Sequence, residues 1–102
     1  MAKVRITAAA KAHLLDIWAY TEAAWGASQA DVYLKDIGAA FDRLAHTPHL
    51  GKARPEIHND YRSLPVKIHV IFYTVTNSAT NSVTFVNIIG VLHAKMDVAG
   101  RI

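Results

Sequence analysis

The stretch from residue 59 to residue 76 constrains the fold most, because it predicts two strands joined by a tight connection near Pro65–Lys67. The longer strand is predicted from Ile68 to Thr76 and is rich in β-branched and aromatic residues, which suit a pleated surface. Its apolar side chains alternate between two faces, with Val70 and Phe72 on one and Ile71, Tyr73 and Val75 on the other. A strand that is apolar on both faces has to be covered on both faces.

A short strand and two helices are predicted before this stretch. Lys3–Thr7 alternates polar and apolar residues, as a half-buried strand does, and Thr7 can cap the helix that follows it. That helix is predicted from Ala8 to Ala24, with Gly26 as its terminating residue. A second helix is predicted over Gln29–His46, with a capping box that starts at Ser28. The short link between them predicts an antiparallel helical hairpin.

A last strand is predicted over Ser82–Leu92, again apolar on both sides, and Gly90 within it indicates a bulge or a close backbone approach. The segment Thr47–Asp60 is predicted to be a loop. The sequence therefore predicts an α+β fold of order β-α-α-β-β-β, with a helical hairpin on a small antiparallel sheet, as a single domain over residues 1–102. The hairpin covers one face of this sheet. Either the helices also wrap around the second face, or a partner chain fills an apolar groove there.

Composition limits the classes of function. The 102 residues include no cysteine, so disulfide and zinc–thiolate sites are excluded, and no cofactor or metal site is predicted. No signal peptide or membrane-length apolar run is evident, which predicts a cytoplasmic protein. The net charge of +3 permits an anionic partner without requiring one.

Four blocks of the sequence resemble the ParE branch of the RelE/ParE toxins of bacterial toxin–antitoxin systems. They are Asp16–Tyr20 with Gly26 and Ala30, Leu44–Glu56, Tyr61–Val66 with His69–Tyr73, and Val91–Asp97. The blocks come in the family's order and span nearly the whole chain. Two positions depart from the family pattern. Met96 stands where an arginine usually precedes the aspartate, and Lys67-Ile68 replaces a usual Gly-Arg at the hairpin connection.

The resemblance implies a non-enzymatic toxin that poisons DNA gyrase and is neutralised by a ParD-like antitoxin. It implies no membrane partner and no sequence-specific nucleic-acid binding by the toxin without its antitoxin. The residues expected to bind the target are Arg62, Lys67, His93 and Lys95. The residues expected to bind the antitoxin are Ile71, Tyr73, Phe85 and Ile89, on the assumption that a partner segment covers the apolar sheet by the helix-in-groove mode.

Two alternatives remain open at this point. The RelE branch cleaves mRNA on the ribosome, which requires a base, a phosphate-binding cation and an acid. The candidates for these roles are Arg62, Tyr73, His93 and Lys95, with Lys67 and His69 as further possibilities. Each also has a structural interpretation: Arg62 as a strand-edge charge, His93 as a strand-end histidine bonded to the backbone, and Tyr73 as a core residue with its hydroxyl at the rim. The third possibility is a degenerate member that retains only antitoxin binding.

Overall fold

The computed structural model describes residues 1–78 and 83–96, which form two helices packed on a five-stranded sheet. The elements are β1 (Lys3–Ile6), α1 (Ala8–Trp25), α2 (Ala27–His46), β2 (Lys52–Ala53), β3 (Arg62–Val66), β4 (His69–Asn77) and β5 (Thr84–His93). Their order in the sheet is β1-β5-β4-β3-β2. The predicted α+β fold, with a helical hairpin on a sheet, is confirmed. Among the described residues, no helix combines the length and apolar character that crossing a membrane requires.

The helical hairpin turns at a single glycine. The Thr7 side chain accepts a hydrogen bond from the Ala10 amide at 3.2 Å, which confirms the predicted cap of α1. Gly26, with φ +94°, ends α1 and also starts α2. The predicted capping box at Ser28 is therefore wrong, because α2 begins at Ala27 and its N-cap makes no side-chain hydrogen bond. The Asp31 carboxylate instead accepts a hydrogen bond from the Trp18 indole at 3.3 Å, which ties the two helices together.

The sheet is mixed, whereas the sequence predicted only antiparallel pairing. β1 runs parallel to β5, with Val4 opposite Val86 and Ile6 opposite Ile88. At the other edge, β2 adds two residues beside β3, inside the segment predicted as loop. Both pairings lie at sheet edges, and the local residue pattern does not indicate which strand a short edge strand pairs with.

One face of the sheet forms the core with the helices. Its sheet side comes from apolar residues of β3, β4 and β5, and its helix side from apolar residues of α1 and α2. The buried members are Ala10, Ile17, Ile37, Ala40, Phe41, Leu44, Leu64, Ile71, Tyr73, Val86, Ile88 and Val91. The predicted phase of α2, with Ile37, Phe41 and Leu44 inward, is confirmed.

A bulge in β5 changes which residues face this core. The β4–β5 register shifts between Phe72, opposite Gly90, and Tyr73, opposite Ile88, so Ile89 is the extra residue. The irregularity that Gly90 indicated is therefore present. Beyond it the alternation is reversed, and Val91 joins the core although it lies an odd number of residues from Ile88.

The second face is not the bare apolar surface that the sequence predicted. The Asn87 amide nitrogen donates hydrogen bonds to the hydroxyls of Thr74 and Thr76 at 3.2 and 3.1 Å, and its oxygen accepts one from Arg5 at 2.9 Å. Further along β4, Phe72 is only 1% exposed, and the Arg54 guanidinium lies 5.7 Å from its ring centroid. This part of the second face therefore carries a polar network and an arginine beside an aromatic ring.

Candidate functional site

The four residues predicted to bind a target occupy three separate places. Arg62 lies against the loop that follows α2, Lys67 lies in the β3–β4 connection, and His93 and Lys95 line a cleft beside α1. In the sheet, Arg62 pairs with Tyr73 of β4, and His93 pairs with His69 of β4. These two positions on β4 are four residues apart, which is about 13 Å along the strand. The nuclease candidates therefore do not converge on one reacting centre.

Arg62 and Tyr73 hold the loop that follows α2. The Tyr73 hydroxyl donates to the Pro48 carbonyl and accepts from the Gly51 amide, each at 2.8 Å. Arg62 donates through Nε to the Gly51 carbonyl at 3.0 Å and through Nη2 to the His49 carbonyl at 3.2 Å. Both side chains satisfy loop backbone groups that would otherwise lack partners.

Gly51 is where this loop approaches the sheet most closely. A Cβ at this position would lie 2.6 Å from both the Ser63 carbonyl oxygen and the Tyr73 hydroxyl. Only glycine fits such an approach without movement of the backbone. Tyr73 is 0% exposed within the core, which confirms the core-residue interpretation, but the loop encloses its hydroxyl instead of leaving it at the rim.

The residues predicted to contact the antitoxin do not form one surface. Ile71 and Tyr73 are both 0% exposed and face the helices, so the prediction for these two is wrong: they have no area to offer a partner. The predicted alternation of side chains along β4 is confirmed, but this alternation does not determine which of the two faces the helices cover. Phe85 lies half-buried on the opposite face with the Arg5 guanidinium 3.8 Å from its ring centroid, and Ile89 lies at the bulge.

Lys67 occupies the first position of the two-residue β3–β4 connection with φ +55°, a left-handed conformation that favours glycine. Its ammonium lies 3.0 Å from the Asp36 carboxylate, so the connection is tied to α2. Both side chains are about half exposed, so this ion pair contributes little to stability.

The cleft has a volume of about 480 Å³ and lies between α1 and the adjoining ends of β4 and β5. It is lined by Asp16, Ile17, Tyr20, Ile68, His69, His93, Lys95 and Met96. His93 and Lys95 were predicted site residues, and His69 was a further nuclease candidate. Asp16 and Tyr20 belong to a block that carries the family resemblance, but no local pattern marked them as lining a site.

His69 sits at the inner wall of this cleft. Its Nδ1 lies 2.6 Å from the Tyr33 hydroxyl. This contact engages Nδ1 of His69 and leaves Nε2 as the second ring nitrogen. Burial lowers the pKa of His69, and the nearby His93 lowers it further. Burial likewise raises the pKa of Tyr33.

His93 packs edge-on against His69, with ring centroids 5.6 Å apart. Its Nδ1 accepts a hydrogen bond from the Lys95 amide at 3.1 Å, which matches the backbone-bonded interpretation of this histidine. A neutral ring that accepts at Nδ1 carries its proton on Nε2. The described residues contain no group of three or more histidine and acidic side chains that could hold a metal ion. To a bound group the cleft offers histidine ring nitrogens, one ammonium, one carboxylate and apolar walls.

The chain matches known proteins along nearly its whole length. Residues 4–98 match the family described as ParE toxin of the type II toxin–antitoxin system parDE. The chain is 41% identical to Toxin ParE1 of Mycobacterium tuberculosis strain H37Rv over 93 residues, which cover 91% of this chain and 90% of that protein. It is 35% identical to Toxin ParE1 of Caulobacter vibrioides over 97 residues, which cover 95% and 94%.

A solved structure described as the chromosomal ParDE system from P. aeruginosa has the same fold. It superposes with a TM-score of 0.77 at 18% identity, covering 93% of this chain and 98% of that one. The match to the family extends over all the elements described above, from β1 to β5. The chain therefore belongs to the ParE family, the non-enzymatic toxins of type II toxin–antitoxin systems.

Proposed function

We propose that this toxin acts in the cytoplasm by poisoning DNA gyrase and that a ParD-like antitoxin neutralises it. The observation that carries the proposal is the family match over residues 4–98, which assigns the chain to the ParE rather than the RelE branch. The name of the structural neighbour, a ParDE system, supports an antitoxin of the ParD kind.

The geometry of the candidate catalytic groups favours this proposal over mRNA cleavage. Tyr73 is buried and uses its hydroxyl twice within the loop, and Arg62 uses Nε and Nη2 on backbone carbonyls. A ribonuclease needs a base, an acid and a phosphate-binding cation around one phosphate. Arg62 and Tyr73 are separated from His93 and Lys95 by the length of β4 that lies between them, so they cannot serve the same phosphate.

The exposed apolar side of α1 supports the antitoxin as a partner. Leu15 is 72% exposed, Trp18 37% and Trp25 73%, and their spacing places them along one side of the helix. A line of large apolar side chains in solvent is typical of a surface that a partner covers. An amphipathic helix of the antitoxin laid along it would bury all three residues.

Lys95 and His93 remain the proposed target-binding residues, because both line the open cleft and Lys95 is exposed. Lys67 remains a weaker candidate, because its ammonium is paired with Asp36. Arg62 is also a weaker candidate, because it lies away from the cleft and its Nε and Nη2 groups hydrogen-bond to loop carbonyls.

The deciding experiment is a gyrase supercoiling and cleavage assay with the purified toxin. We expect inhibition with trapped cleaved DNA, relief by added antitoxin, and weaker inhibition by Lys95→Ala. Lys52→Ala is the matched control, because Lys52 is an exposed lysine on the edge strand β2, which β3 and β4 separate from β5. A toxin that leaves gyrase unaffected but cuts transcripts in a translating extract would overturn the proposed target.

A further inference from the structure

The cleft between α1 and the strand ends combines apolar walls with hydrogen-bond donors on one side. Ile17, 7% exposed, contributes a buried wall, while Tyr20, Ile68 and Met96 are 71%, 53% and 40% exposed. A volume of about 480 Å³ is large enough to hold one or two amino-acid side chains. Large apolar residues left in solvent around such a concavity indicate that a ligand occupies it.

The polar groups of the cleft are mostly donors. His93 accepts a hydrogen bond at Nδ1, so its neutral ring keeps a proton on Nε2, and His69, which contacts Tyr33 through Nδ1, carries N–H donors on both ring nitrogens when it is protonated. Lys95 adds an ammonium group, and Asp16 is the acid among the described lining residues. A ligand that matches this set carries an acceptor with negative charge beside an apolar group.

We propose that the cleft binds an apolar side chain and an adjacent carboxylate from an acidic segment of the antitoxin, with Lys95, His69 and His93 as the carboxylate's partners. The inference rests on the proposed function, because it names the part of this toxin that recognises its antitoxin. It also gives neutralisation a direct physical route, since the antitoxin would then cover Lys95 and His93, the residues proposed to contact gyrase.

The charges around His69 determine how this binding depends on pH. Asp16 and Tyr20 face the cleft from α1, and Tyr33 and Asp36 approach from α2. Lys67 lies in the connection, His93 packs against His69 from β5, and Lys95 follows β5. In the free toxin, burial keeps the pKa of His69 low. A bound carboxylate favours protonated His69, so the affinity for a carboxylate ligand should rise as the pH falls toward the lowered pKa of His69.

A pair of small probes tests the cleft directly. Phenylbutyrate and phenylbutylamine share an apolar body and differ in the sign of their charge. In an NMR titration that follows the ring signals of His69 and His93, we expect phenylbutyrate to bind about tenfold more tightly than phenylbutylamine, the advantage of charge-assisted hydrogen bonds. Lys95→Ala should reduce that preference, and Lys52→Ala should not. Equal binding of the two probes, or shifts confined to other residues, would overturn the proposal.

Titration of the toxin with its own antitoxin tests the biological occupant. Lys95→Ala and His69→Gln should each weaken the complex about tenfold, with Lys52→Ala unchanged. Gln keeps an acceptor for the Tyr33 hydroxyl, and far-UV circular dichroism confirms that each variant is folded. If the antitoxin binds all variants equally, the inference fails while the proposed function stands. If the antitoxin does not bind the unmodified toxin, the proposed function fails at its partner, and the probe titration still decides the chemistry of the cleft.

Discussion

Replacing Tyr73 by Phe should destabilise the toxin by about 2–3 kcal/mol. The substitution keeps the aromatic ring in the core and removes only the hydroxyl. That hydroxyl is the donor to the Pro48 carbonyl and the acceptor for the Gly51 amide, both at 2.8 Å. The variant therefore isolates the polar contacts that attach the loop after α2 to the sheet.

The magnitude follows from the burial of the two partners. Gly51 is buried, and leaving a buried amide without an acceptor costs about 1–3 kcal/mol. Pro48 is only half-buried, so water can replace part of its lost hydrogen bond and its contribution is smaller. For a domain of this size, the expected loss lowers the melting temperature by roughly 10–20 °C.

Urea unfolding followed by circular dichroism measures this loss, with Tyr20→Phe as the matched control. Tyr20 is 71% exposed, so loss of its hydroxyl should change the free energy of unfolding by less than about 0.5 kcal/mol. If Tyr73→Phe costs no more than the control, the hydroxyl does not hold the loop, and the structural role assigned to Tyr73 is incorrect.

Three further predictions concern stability. Phe41→Ala should cost about 3–5 kcal/mol in urea unfolding, because Phe41 is 8% exposed within the core; a loss below about 1 kcal/mol would contradict its packing. In urea unfolding, Lys67→Gly should be about 1 kcal/mol more stable than Lys67→Ala, because both variants lose the ion pair with Asp36 and only glycine relieves the strain of the left-handed backbone. Equal stability of the two variants would argue against that strain. The free toxin should lose stability as the pH falls below about 6.5, because burial lowers the pKa of His69 and the unfolded chain then binds the proton more readily. Unfolding at several pH values should show a smaller slope in His69→Gln, and an unchanged slope would exclude His69 as the cause.

The family resemblance and the order of all elements except the two-residue β2 were readable from the sequence, because they depend on local patterns. The spacing of Ile37, Phe41 and Leu44 specified the buried side of α2, and Thr7 and Gly26 marked the ends of α1. Two sequence departures can also be interpreted. The Lys67-Ile68 connection places a lysine at the left-handed position where the family usually has glycine. The other, Met96, adds an exposed apolar group to the rim of the cleft.

The roles of the polar candidates could not be predicted in the same way. Arg62 and Tyr73 looked like functional groups because they belong to a family block, yet their partners are backbone atoms of the loop that contains Pro48 and Gly51. The sequence does not indicate that His69 joins α2 to the cleft through Tyr33. A hydrogen bond between residues 36 positions apart leaves no trace in local sequence spacing.

Propensity, caps and alternation act over a few neighbouring residues, so the sequence alone specified the two helices and every strand except β2. Three outcomes required the folded chain: which face of β4 the helices cover, the parallel pairing of β1 with β5, and the extra residue at Ile89 that turns Val91 inward. Those outcomes depend on pairing between distant strands. A shift of one residue exchanges the two faces of a strand, and a pattern that is apolar on both faces fits either choice.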